Sequence, residues 1–136
     1  MVVELISVGT EILLGNIVNT NAAYLAEKCA LLGCSLYHQT VVGDNEERME
    51  EAIRQAIERA DIVILTGGLG PTKDDLTKEV TAKVFKKALC EDAHTKERIM
   101  EFFQKIHNGE KITENNWKQA LIRKERSCRE SEWNGA

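Results

Sequence analysis

The chain has 136 residues, of which 43% are hydrophobic and 29% charged, so its length and composition suit one folded domain and argue against disorder. Its 18 basic and 22 acidic residues give a formal net charge of −4, which disfavours nucleic-acid binding because that function usually needs a basic face. Its four cysteines and three histidines lack zinc-site spacing, and the chain shows no basic leader or membrane span; we therefore expect a soluble cytoplasmic protein with reduced thiols.

The first predicted unit is a strand followed by a loop and a helix. Val2 to Val8 is a nearly continuous apolar run, which is typical of a buried strand. Residues 12–21 have loop character. Apolar residues at three- and four-residue spacing then predict a helix, with Thr20 or Asn21 as its N-terminal cap and Gly33 at its C-terminus.

Two further strand–helix units follow. A strand over residues 34–42 precedes a helix, for which Asp44 and Glu47 have the spacing of a capping box. The run from Ile62 to Leu65 is the plainest core strand in the chain. A glycine-rich loop and a third helix come directly after it.

This alternation of strands and helices predicts an α/β domain with a mostly parallel sheet that is covered by helices on both faces. Such sheets bind their ligands at the carboxyl ends of the strands. We therefore expect the site to be formed by the loops after Val8, Val42 and Leu65. The pattern is weaker further along the chain, where helices are predicted over residues 94–106 and 113–122.

The glycine-rich loop after the third strand carries the strongest functional signal. Its three glycines allow a sharp turn and a close approach of the backbone to a ligand, and amide N–H groups of such a loop can bind an anion. Its spacing matches neither a P-loop nor a dinucleotide fingerprint. The alternative is a tight strand-to-helix turn with Thr72 as a cap. We assign phosphate binding to Thr66, Gly67, Gly68, Gly70, Thr72, Lys73 and Thr77.

Two adjacent carboxylates follow this loop, and their role is open from the sequence. Asp74 and Asp75 are candidate ligands of a divalent cation that bridges them to the phosphates of the ligand. Either carboxylate also suits the N-terminus of the next helix electrostatically.

Candidate ligand-binding residues also occur in the two other loops. Gly9 opens the first loop, where Glu11 could accept a hydrogen bond from a ribose or pterin group or be solvated. Asn19 and Asn21 could contribute amides, although helix capping explains them nearly as well. Asp44 in the second loop has the same two interpretations, with capping favoured.

These loops together resemble the N-terminal domain of the CinA family, which is the molybdopterin-binding-like domain shared with MoaB and MogA. The resemblance covers about residues 1–121 and rests on four motifs in order, with a fifth similar stretch. The motifs are Ser7 to Gly15, Asn19 to Asn21, Val41 to Asn45, Thr66 to Thr77 and, as the fifth, Thr113 to Ala120.

The resemblance implies a three-layer α/β/α fold of the MogA/MoaB type. In those relatives the glycine loop holds the phosphate end of a pterin; here that role falls to Gly67, Gly68 and Gly70, with Asp74 or Asp75 as the nearby acid. The CinA N-terminal domain is associated with metal-dependent hydrolysis of ADP-ribose-type pyrophosphates. Its relatives often self-associate, so the resemblance also implies a homo-oligomer.

The resemblance is lost after Leu121, where the family continues with a proline- and glycine-rich segment and a further strand. Residues 122–136 instead form a charged, non-periodic tail. We therefore expect a partial domain over residues 1–121 with an incomplete sheet, from a truncated or frameshifted reading frame.

The leading hypothesis is a CinA-type molybdopterin- or nucleotide-binding domain, ancestrally a pyrophosphate hydrolase. Loop amides and Lys73 would stabilise phosphate charge, and a divalent metal held partly by Asp74 or Asp75 would activate water. Replacement of Asp75 by alanine is then expected to abolish hydrolysis and leave the fold intact. The alternatives are a non-hydrolytic molybdopterin-binding module and an inactive truncated remnant; neither a nucleic acid nor a membrane is an expected partner.

Overall fold

Three parallel strands form the main sheet of the computed structural model, which describes residues 1–106 and 112–123. Strand β1 (Val2–Val8) lies between β2 (Ser35–Val42) and β3 (Ile62–Thr66). Val8 is in register with Val42, and Ser7 is in register with Thr66, so the three strands end at the same edge. The central position of β1 explains why its sequence is apolar almost throughout.

Six helices accompany this sheet within the described residues. They are α1 (Thr10–Leu13), α2 (Thr20–Leu31), α3 (Glu46–Arg59), α4 (Thr77–Val84), α5 (Ala93–Ile106) and α6 (Glu114–Trp117). None of the helices described is both long enough and apolar enough to cross a membrane.

Side chains of alternate β1 residues enter two separate cores, one on each face of the sheet. Ile6 and Val8 pack in a cluster that includes residues of α3 and α4. Val3 and Leu5 pack with residues of α2, among them the free and buried Cys29. The sheet is therefore covered by helices on both faces, and the predicted three-layer α/β/α fold is confirmed.

Glu4 is an exception on the apolar central strand, since its side chain is only 1% exposed. Its two carboxylate oxygens accept hydrogen bonds of 2.8 and 2.7 Å from Nε and Nη2 of Arg59, the last residue of α3. This ion pair lowers the pKa of Glu4, because the hydrogen bonds from Arg59 stabilise the carboxylate more than burial disfavours it.

The structure moves both predicted helix caps, and it confirms the capping interpretation of Asn19. The side chain of Asn19, not of Thr20 or Asn21, caps α2 by accepting from the Ala22 N–H. Asn45, not Asp44, caps α3 by accepting from the Arg48 N–H. Each true cap is the last residue before its helix, where a short side chain reaches the free amides of the first turn.

Two predicted assignments change, one in the first loop and one beyond residue 85. The predicted loop over residues 12–21 contains the end of α1. The predicted helix over residues 113–122 is instead α6, a 3₁₀ turn and strand β5 (Leu121–Arg123). Strand β5 pairs antiparallel with β4 (Leu89–Glu91), a partner too distant in sequence for local periodicity to reveal. Residues 124–136 of the predicted charged tail lie outside the described residues.

Candidate functional site

An open pocket of about 310 Å³ lies at the carboxyl edge of the main sheet, between the loops that follow β1, β2 and β3. The predicted site residues that line it are Gly9, Glu11, Asn21, Asp44, Thr66, Gly67, Gly68, Thr72, Asp74 and Asp75. Val8, Ile12 and Ile17 add an apolar part of the wall that sequence reasoning missed. The only sequence signal for it was the presence of two isoleucines in a segment otherwise typical of a loop.

Four predicted site residues, Asn19, Gly70, Lys73 and Thr77, do not line the pocket. Asn19 lies beside it, where its Nδ2 donates to the hydroxyl of the buried Ser7 at 2.8 Å. Its oxygen caps α2, so the Asn19 amide both starts the helix and links it to β1.

Two glycines bring the loop backbone close to the end of β1. Gly67 and Gly68 have φ angles of +89° and +59°, which residues with a side chain rarely adopt. A methyl group on Gly67 would lie 2.0 Å from the Val8 carbonyl oxygen, and one on Gly68 would lie 2.3 Å from the hydroxyl of Thr77. These positions therefore require glycine for both conformation and space.

Thr77, the first residue of α4, supports this loop from beneath. Its buried hydroxyl donates to the Gly67 carbonyl at 2.8 Å, and its N–H donates to the Gly68 carbonyl at 3.2 Å. The amides of Gly68 and Asp74 have no hydrogen-bond acceptor among the residues that the structure describes. Both residues line the pocket, and neither amide is engaged by an acceptor in the part of the chain that the structure describes.

The carboxylate of Asp75 closes the second half of the glycine loop. Its Oδ2 accepts from the N–H of Thr72 at 2.9 Å and from the hydroxyl of Thr72 at 2.5 Å. These bonds, mainly the one from the hydroxyl, lower the pKa of Asp75, with smaller contributions from the Gly70 amide and the charge of Lys118. Thr72 is not the cap of α4, as the alternative interpretation supposed, since that cap position is Leu76.

Asp44 joins the loops after β1 and β2. Its Oδ2 accepts from the N–H of Thr10 at 2.9 Å and from the hydroxyl of Thr10 at 2.7 Å, and its own N–H donates back to that hydroxyl at 3.1 Å. The carboxylate therefore binds the first residue of α1 and does not cap α3, and this fixes the start of the segment that carries Glu11.

A further bond joins the first and third loops across the pocket. Asn21 Nδ2 donates to the hydroxyl of Thr66 at 3.3 Å, which links the first turn of α2 to the end of β3.

The charge of the pocket is negative. Four carboxylates line it, those of Glu11, Asp44, Asp74 and Asp75, and no lysine, arginine or histidine of the described residues does. The described residues also contain no group of three or more histidines, cysteines and acids that could hold a metal ion by themselves. A divalent cation would therefore fit only if a bound ligand supplied the other oxygen atoms, which is the usual arrangement for magnesium at phosphates.

Comparisons with known protein families and with known proteins point to the same family. Residues 4–126 match the family described as "Probable molybdopterin binding domain". The chain is 56% identical over 119 residues to a "competence-damage inducible protein" of Caldanaerobacter subterraneus, covering 88% of this chain and 28% of that relative. It thus spans less than a third of the length of the curated relatives that it matches.

Solved structures agree with this result. The protein CinA from Thermoplasma acidophilum superposes with a TM-score of 0.77 at 35% identity, covering 90% of this chain and 70% of that one. The molybdopterin biosynthesis enzyme MoaB from Thermus thermophilus has a TM-score of 0.58 at 17% identity, covering 88% and 72%. The second similarity is evidence for the fold alone.

Proposed function

This chain belongs to the CinA family and carries its molybdopterin-binding domain, and we propose that its pocket binds a pterin- or nucleotide-type ligand by the phosphate end. The observation that carries the proposal is the backbone of Gly67 and Gly68, which lies too close to Val8 and Thr77 for any side chain and borders an open pocket. Free amides at such a turn suit phosphate oxygens.

The other walls suit the remainder of such a ligand. Ile12 and Ile17 offer an apolar surface for a ring, and Glu11 offers a carboxylate acceptor for ring N–H groups or ribose hydroxyls. Asn21 offers an amide at the same edge.

The four carboxylates would repel a phosphate unless a cation offsets them. We therefore include a divalent metal ion in the proposal, held by Asp74 and the oxygens of the ligand, with Asp75 as the second candidate. Asp74 is the more available carboxylate, because Oδ2 of Asp75 already accepts two hydrogen bonds from Thr72. When bound, such an ion would neutralise phosphate charge and provide an activated water.

Hydrolysis of an ADP-ribose-type pyrophosphate is the proposed reaction. In this reaction the residues of the chain bind and orient the ligand. The amides of Gly68 and Asp74 donate to phosphate oxygens, and the loop holds the pyrophosphate beside the Asp74 carboxylate. Lys73 was expected to assist, but it does not line the pocket. We therefore give the loop amides the main role in stabilising phosphate charge.

Titration calorimetry with ADP-ribose and with molybdopterin, each with and without magnesium, tests the proposal, and chromatography of the same mixtures measures turnover. We expect metal-dependent binding and hydrolysis of ADP-ribose. Binding of molybdopterin without turnover would instead support a non-hydrolytic module. A chain that melts cooperatively but binds neither ligand would refute the proposal.

A matched pair of variants tests whether the ligand binds at this pocket. Ile17→Glu adds a negative charge to the pocket wall, whereas Tyr37→Glu adds the same charge to an exposed apolar residue of β2 outside the pocket lining. We expect only Ile17→Glu to weaken binding, and the loss to shrink at high salt because exposed charges are screened. Equal losses in both variants would place the ligand elsewhere.

A further inference from the structure

The stretch from Thr113 to Ala120 resembles the family in sequence but does not line the pocket. It contains α6 and the 3₁₀ turn, and it reaches the glycine loop through Lys118. The side chain of Lys118 is only 19% exposed, although lysine usually lies in solvent. Its position therefore needs a physical reason.

The ammonium of Lys118 binds two carbonyl oxygens of the glycine loop. It donates to Thr72 O at 3.0 Å and also to Asp75 O, and it lies 3.3 Å from the Glu79 carboxylate on α4. The two carbonyls use two of the three N–H donors of the ammonium, and the carboxylate lies within ion-pair distance.

These contacts fix the direction of two peptide groups beside the pocket. A trans peptide directs its N–H opposite to its C=O, so the amides of Lys73 and Leu76 point away from the ammonium. A carbonyl that rotated into the pocket would instead present negative charge to a phosphate oxygen. Charge-assisted hydrogen bonds are about twice as strong as neutral ones, so the ammonium is well suited to prevent that rotation.

We propose that Lys118 is a positioning residue for ligand binding, and that the stretch from Thr113 to Ala120 is a strap that holds the glycine loop in its binding conformation. The functional part of this inference rests on the proposed function, whereas the effect on the loop does not. The proposal does not include a contact between Lys118 and the ligand.

The strap is itself firmly held. Lys78 of α4 donates to the carbonyls of Lys118 at 2.8 Å and Leu121 at 3.3 Å, and Ala120 is fully buried. At its other end, the N–H and hydroxyl of Thr113 donate to Oδ1 of Asn116 at 3.1 and 2.5 Å. Lys118 therefore projects from a fixed backbone.

A merely structural ion pair with Glu79 is the competing explanation. Glu79 Oε2 is buried without a hydrogen-bond partner among the described residues, so this pair is incompletely satisfied. Glu79→Gln removes the charge of the pair and leaves both carbonyl contacts of Lys118 in place. It therefore separates the two explanations.

The test compares Lys118→Met with Glu79→Gln and Lys83→Met. Lys83 is a second α4 lysine, whose ammonium binds Glu46 at 2.7 Å and Glu50 at 3.0 Å on α3. Hydrogen exchange of the ligand-free chain is measured by mass spectrometry, and the affinity for ADP-ribose with magnesium is measured by calorimetry.

We expect Lys118→Met to speed exchange several-fold in residues 67–76 only, and to weaken ADP-ribose binding about tenfold, as loss of charge-assisted hydrogen bonds predicts. Glu79→Gln and Lys83→Met should leave both quantities unchanged. Unchanged loop exchange in Lys118→Met, or equal effects in Glu79→Gln, would overturn the inference.

The hydrogen-exchange measurement still tests the inference if the wild-type chain binds no ADP-ribose, because an absence of binding would contradict only the proposed function. If Lys118→Met does not melt cooperatively, NMR of lysine ammonium groups in the wild-type chain decides. We expect the Lys118 ammonium to exchange its protons with water more slowly than that of the exposed Lys73. Equal rates would contradict the strap.

Discussion

Gly67 and Val8 meet so closely that a methyl group on the glycine would lie 2.0 Å from the Val8 carbonyl oxygen. This contact joins the end of the central strand to the start of the glycine loop, at the floor of the pocket. The φ angle of Gly67, +89°, excludes most other residues independently of the contact.

Gly67→Ala should therefore destabilise the chain and weaken ligand binding, because either Val8 or the loop must move. Gly15→Ala is the matched control: its φ angle is +74°, and a methyl group there would meet nothing within 4 Å. Urea unfolding should show about 1–2 kcal/mol of backbone strain in the control and a clearly larger loss in Gly67→Ala. Equal losses would show that the contact with Val8 is unimportant.

Asp75 should make the chain sensitive to acid. Its pKa is lowered below the ordinary value of 3.8, chiefly by the Thr72 hydroxyl, so its contribution to stability is present above that pH and is lost as the pH falls through the lowered pKa. Asp75→Asn lacks this contribution. The difference in free energy of unfolding between wild type and Asp75→Asn should be constant near neutrality and shrink below pH 3.8. A constant difference down to strong acid would contradict this assignment.

Asp74 and Asp75 should differ in how their loss affects metal-dependent binding. Asp74 is exposed and lines the pocket, whereas Asp75 holds the loop through Thr72. Asp74→Asn should remove the effect of magnesium on ADP-ribose binding and leave the melting temperature unchanged. Asp75→Asn should lower both affinity and melting temperature, in contrast to the expectation from sequence that loss of Asp75 leaves the fold intact. Calorimetry with a magnesium series distinguishes the two; an unchanged metal effect in Asp74→Asn would exclude that carboxylate.

Arg59→Met should lower stability because it leaves the buried carboxylate of Glu4 without its ion-pair partner. Arg54→Met removes a comparable arginine from α3, but its partner Glu50 is more exposed and only four residues away. Such pairs contribute little to stability. Thermal unfolding at neutral pH should therefore show a large decrease for Arg59→Met and a small one for Arg54→Met. Since the Glu4 pKa is lowered, the penalty in Arg59→Met should diminish as acid protonates Glu4; a penalty independent of pH would argue against the ion pair.

Much of this architecture could be predicted from the sequence, because local patterns encode it. The apolar run of β1, the helical spacing that follows it and the glycines after β3 each record the environment of neighbouring residues. They predicted a parallel sheet with helices on both faces and the edge at which the pocket lies, and ten of the candidate residues in the loops at that edge do line it.

The tertiary structure alone decided which polar groups are partners. Asp44 was expected to cap the nearby helix, but its carboxylate binds Thr10, 34 residues earlier in the chain. Lys118 was not among the predicted site residues, yet it binds the carbonyl of Thr72, 46 residues away. The physical reason is that hydrogen bonds form between groups that the fold brings within about 3 Å of each other, whatever their separation in sequence. Sequence periodicity reports only which face of a helix or strand is buried.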